Sequence, residues 1–208
     1  WSTYNKCPSQ YNYRYRQRLP YPTSPFAQRG TDTHGRVEQY VKGELNDYPL
    51  PSDRLRPVLD AYRNHPNGDR YVEYRVGFTR DWEWVSMGND GLWSVGVLDA
   101  MRVGADWRPV KLRNGEKVPV PHEDVVYIAE WKTGNEYEEH REQRMLYALF
   151  GLRRWPYHER VEVTTYYLDD HKKLEPKTLT VKRSAEEKLI ALWNDRATAM
   201  LTDPEYAP

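Results

Sequence analysis

The feature that most constrains the fold is an uninterrupted apolar run that ends in a charged pair. Residues 124–132 read DVVYIAEWK, so that Glu130 and Lys132 follow directly on VVYIA. An extended segment this apolar is typical of a strand buried on both faces, in the middle of a sheet. Covering both faces requires helices, which predicts an α/β fold with a mixed central sheet flanked by helices. Since side chains alternate along a strand, Glu130 and Lys132 share one face.

The other segments predict the elements around this strand. Alternating β-branched and aromatic residues predict further strands, and 104–123 reads as an excursion or small hairpin. The predicted strands are 70–78, 81–87, 92–103, 159–168 and 177–182. Apolar periodicity and cap residues predict helices. They are 2–16 as a short helix or turn, 31–45 capped by Thr31 or Thr33, 53–64 capped by Asp53, 136–153 and 184–201.

This order of elements predicts one domain over 1–208. It would consist of an N-terminal helical part (1–65), a sheet core (66–183) and a C-terminal helix (184–208). No run of about 18 apolar residues occurs, so we expect no transmembrane helix and no membrane partner.

The single cysteine limits the chemistry. Cys7 alone cannot form an intrachain disulfide, a four-cysteine zinc site or an iron–sulfur cluster. One thiol indicates a reducing, cytoplasmic setting, and we expect Cys7 to be a small buried apolar residue.

The charges of the chain give two opposing indications about nucleic-acid binding. The chain carries 31 Lys plus Arg against 31 Asp plus Glu, whereas proteins that grip a long duplex are usually basic. Basic residues nevertheless dominate residues 1–42. Arg14, Arg16 and Arg18 lie there among tyrosines, which could stack on nucleic-acid bases or simply pack the N-terminal segment.

A second carboxylate stands in another apolar strand. Asp99, about thirty residues before Glu130, would be costly to bury unless it is paired or bound to metal. If the two strands are neighbours, Asp99, Glu130 and Lys132 converge. Two carboxylates suit Mg²⁺ or Mn²⁺, and a lysine could orient a water activated by such an ion. The alternative is a turn aspartate at Asp99 and a solvated ion pair at Glu130 and Lys132.

Two helical pairs could extend this site. Gln143 and Tyr147 lie four residues apart and so share a helix face, as do His34 and Glu38. Imidazole is a reasonable additional ligand for Mn²⁺. Each of these residues could equally be an ordinary surface or core-edge residue, and Glu73 could be the solvent side of an alternating strand.

Together these motifs resemble one known group of enzymes. GVLDA (96–100), IAEWKTG (128–134) and the Q-x-x-x-Y spacing of Gln143 and Tyr147 resemble the PD-(D/E)XK nuclease superfamily, in its RecB-like branch. That branch includes CRISPR adaptation nucleases and phage exonucleases. RGTDTHGRVE (29–38) is similar to its G-x-x-x-H motif, and residues 1–15 are similar to its S-x-x-x-x-x-C-P-x-x-Y/F opening. The resemblance covers most of residues 1–170.

The resemblance implies a restriction-endonuclease-like core and a metal-dependent active site. Asp99, Glu130 and Lys132 would be catalytic, with Lys132 acting on the nucleophilic water. One or two Mg²⁺ or Mn²⁺ ions would be bound by His34, Asp99, Glu130 and the backbone carbonyl of Trp131. The positioning residues would be Gln143, Tyr147, Glu73 and Glu38. Because Cys7 stands alone, the iron–sulfur cluster of many RecB-like members is not expected.

The implied activity is a metal-dependent deoxyribonuclease, a hydrolase of phosphodiester bonds. We expect an exonuclease that acts on single- or double-stranded DNA ends in phage or bacterial recombination, repair or replication. It would work in the cytoplasm of a bacterium or a phage-infected host, as a homo-oligomer or with a recombination protein. The alternatives are a structure-specific or restriction-type endonuclease of the same fold, and a non-catalytic DNA-binding module.

Overall fold

A mixed sheet of six strands forms the centre of the molecule. The computed structural model describes residues 2–20, 22, 24–65, 70–104, 106–111, 117–122, 125–169 and 174–203. The strands are β1 (Arg70–Phe78), β2 (Trp84–Val85), β3 (Ser94–Val103), β4 (Asp106–Lys111), β5 (Lys117–His122), β6 (Val125–Lys132), β7 (Arg160–Tyr167) and β8 (Lys177–Lys182). The sheet order is β2-β1-β3-β6-β7-β8, in which only β6 and β7 pair in parallel. The antiparallel pair β4 and β5 forms a separate hairpin, as predicted.

Helices cover both faces of this sheet. They are α1 (Ser2–Lys6), α2 (Pro8–Tyr11), α3 (Pro25–Lys42), α4 (Arg56–Arg63), α5 (Glu138–Arg154) and α6 (Glu186–Thr202). Three further helical turns occur at Asn12–Arg16, Asp53–Leu55 and Arg183–Ala185. One buried cluster lies beneath α5 and α6, and a second lies beneath α3 and α4. The predicted mixed α/β fold with flanking helices is confirmed.

Strand β6 occupies the place that its apolar run predicts. It pairs with β3 on one side and β7 on the other, and Val126 and Ile128 are fully buried in the cluster beneath α5. Gly96, on the neighbouring strand, lies so close to α5 that an added Cβ would meet the Phe150 ring at 2.3 Å. This glycine allows α5 to pack directly on β3.

The predicted start of α3 is wrong by six residues. The helix begins at Pro25, and the Ser24 side chain accepts a hydrogen bond from the Ala27 amide at 3.2 Å. Proline fits this first position because its missing N–H would have no helical partner there. Thr31 and Thr33 do not cap the helix, since their hydroxyls donate to carbonyl groups one turn earlier.

The elements around α4 and β2 also differ from the prediction. Asp53 does not cap α4, because Leu55 is the residue that precedes this helix. Asp53 begins a 3₁₀ turn instead and forms an ion pair with Arg56 at 2.7 Å. Of the predicted strand 81–87, only Trp84–Val85 pairs in the sheet. Its alternating pattern reflects one buried side chain, Trp82, which donates to Asn194 at 2.9 Å.

Within the described ranges, no helix combines the length and the apolar character needed to cross a membrane.

Candidate active site

The candidate site begins where two neighbouring strands part. The β3–β6 ladder ends at the pair Ala100 and Ala129, so Asp99 and Glu130 would form the next pair in register. Instead, the Trp131 amide donates to Asp99 Oδ2 at 2.7 Å. A side chain therefore replaces a backbone partner, and both carboxylates stand at the opening between the strands.

Strand β1 is irregular at the same level. Glu73 faces Asp99 in register but is left out of the β1–β3 ladder, and its φ is +51°. Tyr71 and Tyr74, on either side of it, both pack against the cluster beneath α5, so the simple alternation is interrupted. A left-handed conformation costs a non-glycine residue about 1–3 kcal/mol. Strained backbone and paired carboxylates thus coincide in the sheet.

Glu130 is the most enclosed charged group in this region. Its side chain accepts from Lys132 Nζ and, at 2.8 Å, from Gln143 Nε2, both at Oε1. The residue is only 3% exposed, and Oε2 is buried without a hydrogen-bond partner among the described residues. Gln143 Nε2 also donates to the Tyr147 hydroxyl at 2.8 Å. Gln143 therefore links the carboxylate to Tyr147, on the face of α5 that their spacing predicts.

Helix α3 brings His34 to the other side of the carboxylates. His34 Nδ1 lies 3.9 Å from Asp99 Oδ2, and the backbone of Trp131 is near enough to act on the pKa of the ring. A Cβ on Gly30 would lie 2.9 Å from Thr133 Oγ1, which shows how closely the helix approaches the end of β6. The predicted ligands His34, Asp99, Glu130 and the Trp131 backbone are therefore neighbours.

Burial dominates the ionisation of these groups. It raises the pKa of Asp99 to about 6 and that of Glu130 to about 7, although the Lys132 charge opposes both shifts. The negative charge of Asp99 is the second cause at Glu130. Burial also lowers the pKa of His34, which favours the neutral imidazole. The pKa of Tyr147 is raised by burial and by the nearby carboxylates, so its phenol stays protonated.

An open cleft of about 650 Å³ leads to the carboxylates. Helix α3 forms one wall with Phe26, Ala27, Gly30, Thr31, His34, Gly35 and Glu38. The other walls carry Glu73, Val97, Asp99, Lys132, Thr133 and Tyr147. Glu38 is ion-paired with Lys42, and burial raises the pKa of Glu73. Both predicted supporting carboxylates thus line the same cleft as Asp99.

The N-terminal arginines lie elsewhere. Arg14 and Arg16 belong to the helical turn after α2, Arg18 follows it, and none is among the residues that line this cleft. Arg14 stacks over the Tyr15 ring at 5.4 Å. Their proposed contact with DNA stays a prediction.

Cys7 is exposed, so the predicted burial is wrong. The short helices α1 and α2 lie on the outside of the body, and other side chains anchor them there. Tyr4 donates to Asp203 at 2.6 Å, and Lys6 pairs with Glu139 at 2.5 Å. Because Cys7 lies on this outer layer, its side chain does not pack in the core.

The fit of these residues to a metal ion is partial. Across the described part of the chain, no three His, Cys, Asp or Glu side chains are grouped as a metal site would require. Two carboxylates nevertheless meet here, and Glu130 Oε2 lacks the partner that a buried oxygen needs. A hard cation would satisfy that atom and relieve the repulsion between Asp99 and Glu130. Oxygen donors with one imidazole suit Mg²⁺ or Mn²⁺.

Two residues were missed from the sequence: Asp169, which holds the loop after β6 without lining the cleft, and Phe26, which lines it. Asp169 is 9% exposed, accepts from the Gly134 amide at 2.7 Å and forms an ion pair with Arg29. It thereby joins the loop after β6 to α3, whereas its sequence context predicts only a turn. Phe26 lines the cleft and was missed because the helix was predicted to start at 31. The signal that could have found it is the Ser24-Pro25 cap.

Comparison with known proteins adds little beyond this geometry. No family model matches the sequence, and no curated protein matches it. Among solved structures, the chain is similar to the crystal structure of SSO0001, with a TM-score of 0.40 and 14% identity. The match covers 91% of this chain and 69% of that one. So distant a likeness carries no argument about this chain, and its function has to be inferred from the site.

Proposed function

We propose that the protein is a divalent-metal-dependent DNA nuclease of the PD-(D/E)XK kind, in the RecB-like branch. The observation that carries the proposal is the environment of Glu130, a buried carboxylate with one unpartnered oxygen, next to Asp99 and held by Lys132. Such an arrangement is costly for stability. Asp99 and Lys132, the neighbours of Glu130, line an open cleft, where perturbed ionisable groups often mark functional sites.

Some residues of the site would bind the cation, and others would position these ligands. His34, Asp99, Glu130 and the Trp131 carbonyl would hold one or two Mg²⁺ or Mn²⁺ ions. An ion bound there would lower the pKa of a water and neutralise charge on the scissile phosphate.

Lys132 donates to Glu130 and could also donate to an attacking water or a phosphate oxygen. Gln143 donates to both Glu130 and Tyr147, so it ties α5 to β6 at this point.

A labelled-oligonucleotide digest tests the proposal. The purified chain should degrade single- or double-stranded oligonucleotides in Mn²⁺ or Mg²⁺, and Asp99→Asn or Lys132→Ala should abolish the cleavage. Lys177→Ala is the matched control, because Lys177 pairs with Glu136 outside the cleft. If Asp99→Asn cleaves like the unaltered chain, the proposal is wrong.

Within this proposal, we expect an exonuclease that acts on DNA ends, with an endonuclease of the same fold as the alternative. Labelling at the 5′ or the 3′ end reports the polarity of degradation. Closed circular DNA separates the two activities, since an exonuclease leaves it intact and an endonuclease opens it.

One observation favours a second candidate, a non-catalytic DNA-binding module. The lack of a three-ligand group among the described side chains is what such a module would show. Titration calorimetry distinguishes the two, because a nuclease site must bind Mg²⁺ or Mn²⁺ and lose that binding in Glu130→Gln. Absence of any binding by either ion would support the module.

A further inference from the structure

Phe26 occupies an unusual position in the cleft. It lies in the first turn of α3, its side chain lines the cleft to the carboxylates, and it is 85% exposed. A single exposed aromatic residue needs no explanation in general. Tyr157, for example, is 91% exposed and lies outside the cleft. Phe26 differs because it presents a flat apolar ring to the space that a substrate would enter.

Between Phe26 and His34, the side chains of α3 that line the cleft are short. The cleft-lining residues in this interval are Ala27, Gly30 and Thr31, all of them small. At a rise of about 1.5 Å per residue, Phe26 lies roughly 12 Å along the helix axis from His34. With about 3.4 Å between stacked nucleotides, this distance corresponds to roughly three or four nucleotides. A stacked single strand could therefore lie along α3, with one end at the carboxylates and the other at Phe26.

The ligand that fits this arrangement has flat apolar faces repeated along a phosphate backbone. A single-stranded nucleic acid offers both features, because its bases stack on aromatic side chains whatever their identity. In the interior of a duplex, neighbouring base pairs cover these faces. A ring at this place can therefore act only on unpaired bases or on the last base of an end.

We propose that Phe26 stacks on one unpaired base of the substrate strand, roughly three or four nucleotides from the phosphate at Asp99 and Glu130, and so makes the cleft prefer single-stranded DNA. This role rests on the proposed nuclease function. Phe26 is a positioning residue, since it contacts the strand away from the reacting phosphate.

Strand binding tests the proposal without cleavage. Asp99→Asn prevents turnover, and Phe26→Ala in that background should weaken binding of a fluorescent single strand by about 5- to 100-fold. Phe26→Trp should keep the affinity, because it keeps a stacking ring. Tyr157→Ala is the matched control and should change nothing. Since both aromatic side chains are exposed, neither alanine variant is expected to unfold the chain.

A positional scan makes the test specific. An abasic site moved along the strand should weaken binding most at one position when Phe26 is present, and Phe26→Ala should remove that peak. Closed circular duplex, which offers neither unpaired nor terminal bases, should bind equally well with and without the Phe26→Ala substitution.

If the abasic penalty has the same profile with and without the ring, or if duplex and single strand lose equal affinity, Phe26 does not stack on a base. Cleavage by the unaltered chain is scored separately, so the nuclease proposal can stand while this one falls. If the Asp99→Asn chain binds no single strand, the role of Phe26 is wrong, and if the unaltered chain also cleaves no DNA, the nuclease proposal is wrong as well.

Discussion

The two halves of the central strand β6 differ in what surrounds them. From Val125 to Ala129 the strand is buried, and its residues from Val126 onward pair with both β3 and β7. From Glu130 to Lys132 it pairs with β7 alone, and the side facing β3 opens into the site. Where β6 no longer pairs with β3, the charged side chains of Asp99, Glu130 and Lys132 lie together. The comparison predicts that changes in the first half affect stability and changes in the second half affect chemistry.

The largest effect is expected from Glu130→Gln. The amide keeps the size of the side chain but removes a charge that a cation would need, so cleavage should fall by about 10²–10³-fold or more. Stability should not fall, because a neutral group costs less to bury than a carboxylate. Cleavage rate and melting temperature of the same preparation check both statements. A large loss of melting temperature would contradict the distinction between the two halves.

Ile128→Ala should give the opposite result. Ile128 is fully buried in the first half of the strand, and removing its side chain should lower the free energy of unfolding by about 2–5 kcal/mol. Urea denaturation measures that loss. The cleavage rate per folded molecule should stay unchanged. A rate loss comparable to that of Glu130→Gln would show that the apolar half also shapes the site.

The pH dependence of the metal-free chain sharpens the comparison. In the unfolded chain both carboxyls have pKa values near about 4, whereas folding raises the pKa of Asp99 to about 6 and that of Glu130 to about 7. The folded state binds more protons between these values, so stability falls as pH rises from about 4 to about 7 and then levels off.

We expect the melting temperature without divalent ions to be roughly 5 °C lower at about pH 8 than at about pH 5.5. Thermal denaturation in a chelator measures it. Glu130→Gln is the control, because it removes the Glu130 part of the slope and leaves the part contributed by other carboxyls. Added Mg²⁺ should reduce the difference. If the melting temperature of Glu130→Gln depends on pH as steeply as that of the unaltered chain, the raised pKa of Glu130 does not contribute to the pH dependence.

The smallest effect concerns the backbone beside the site. Glu73 has a left-handed φ of +51°, which glycine adopts without strain. Glu73→Gly should therefore raise the free energy of unfolding by about 1 kcal/mol. Glu73→Ala loses the same carboxylate but keeps a Cβ, so it should not show this gain. If the two variants are equally stable, the strain at this position contributes nothing.

Much of the sheet could be predicted, because strand periodicity is a local property. The bounds of β1, β6 and β8 agree with the predicted strands to within one residue at each end. Boundaries were wrong where a short signal competes with a longer pattern, as at Ser24-Pro25 before α3. The Ser24-Pro25 cap is a local signal that places Phe26 in the first turn of α3. The ion pair between Asp169 and Arg29 could not be predicted, since it joins segments far apart in sequence.

What the sequence by itself determined is the buried strand and the shared face of Glu130 and Lys132. Both follow from the two-residue period of an extended backbone and from the cost of leaving VVYIA in water. Only the tertiary structure decided that the β3–β6 ladder stops at Ala100 and Ala129, so that Asp99 meets Glu130. Only it decided that Gly30 lets α3 carry His34 to the carboxylates. Such meetings depend on how distant segments pack, which no local pattern of residues encodes.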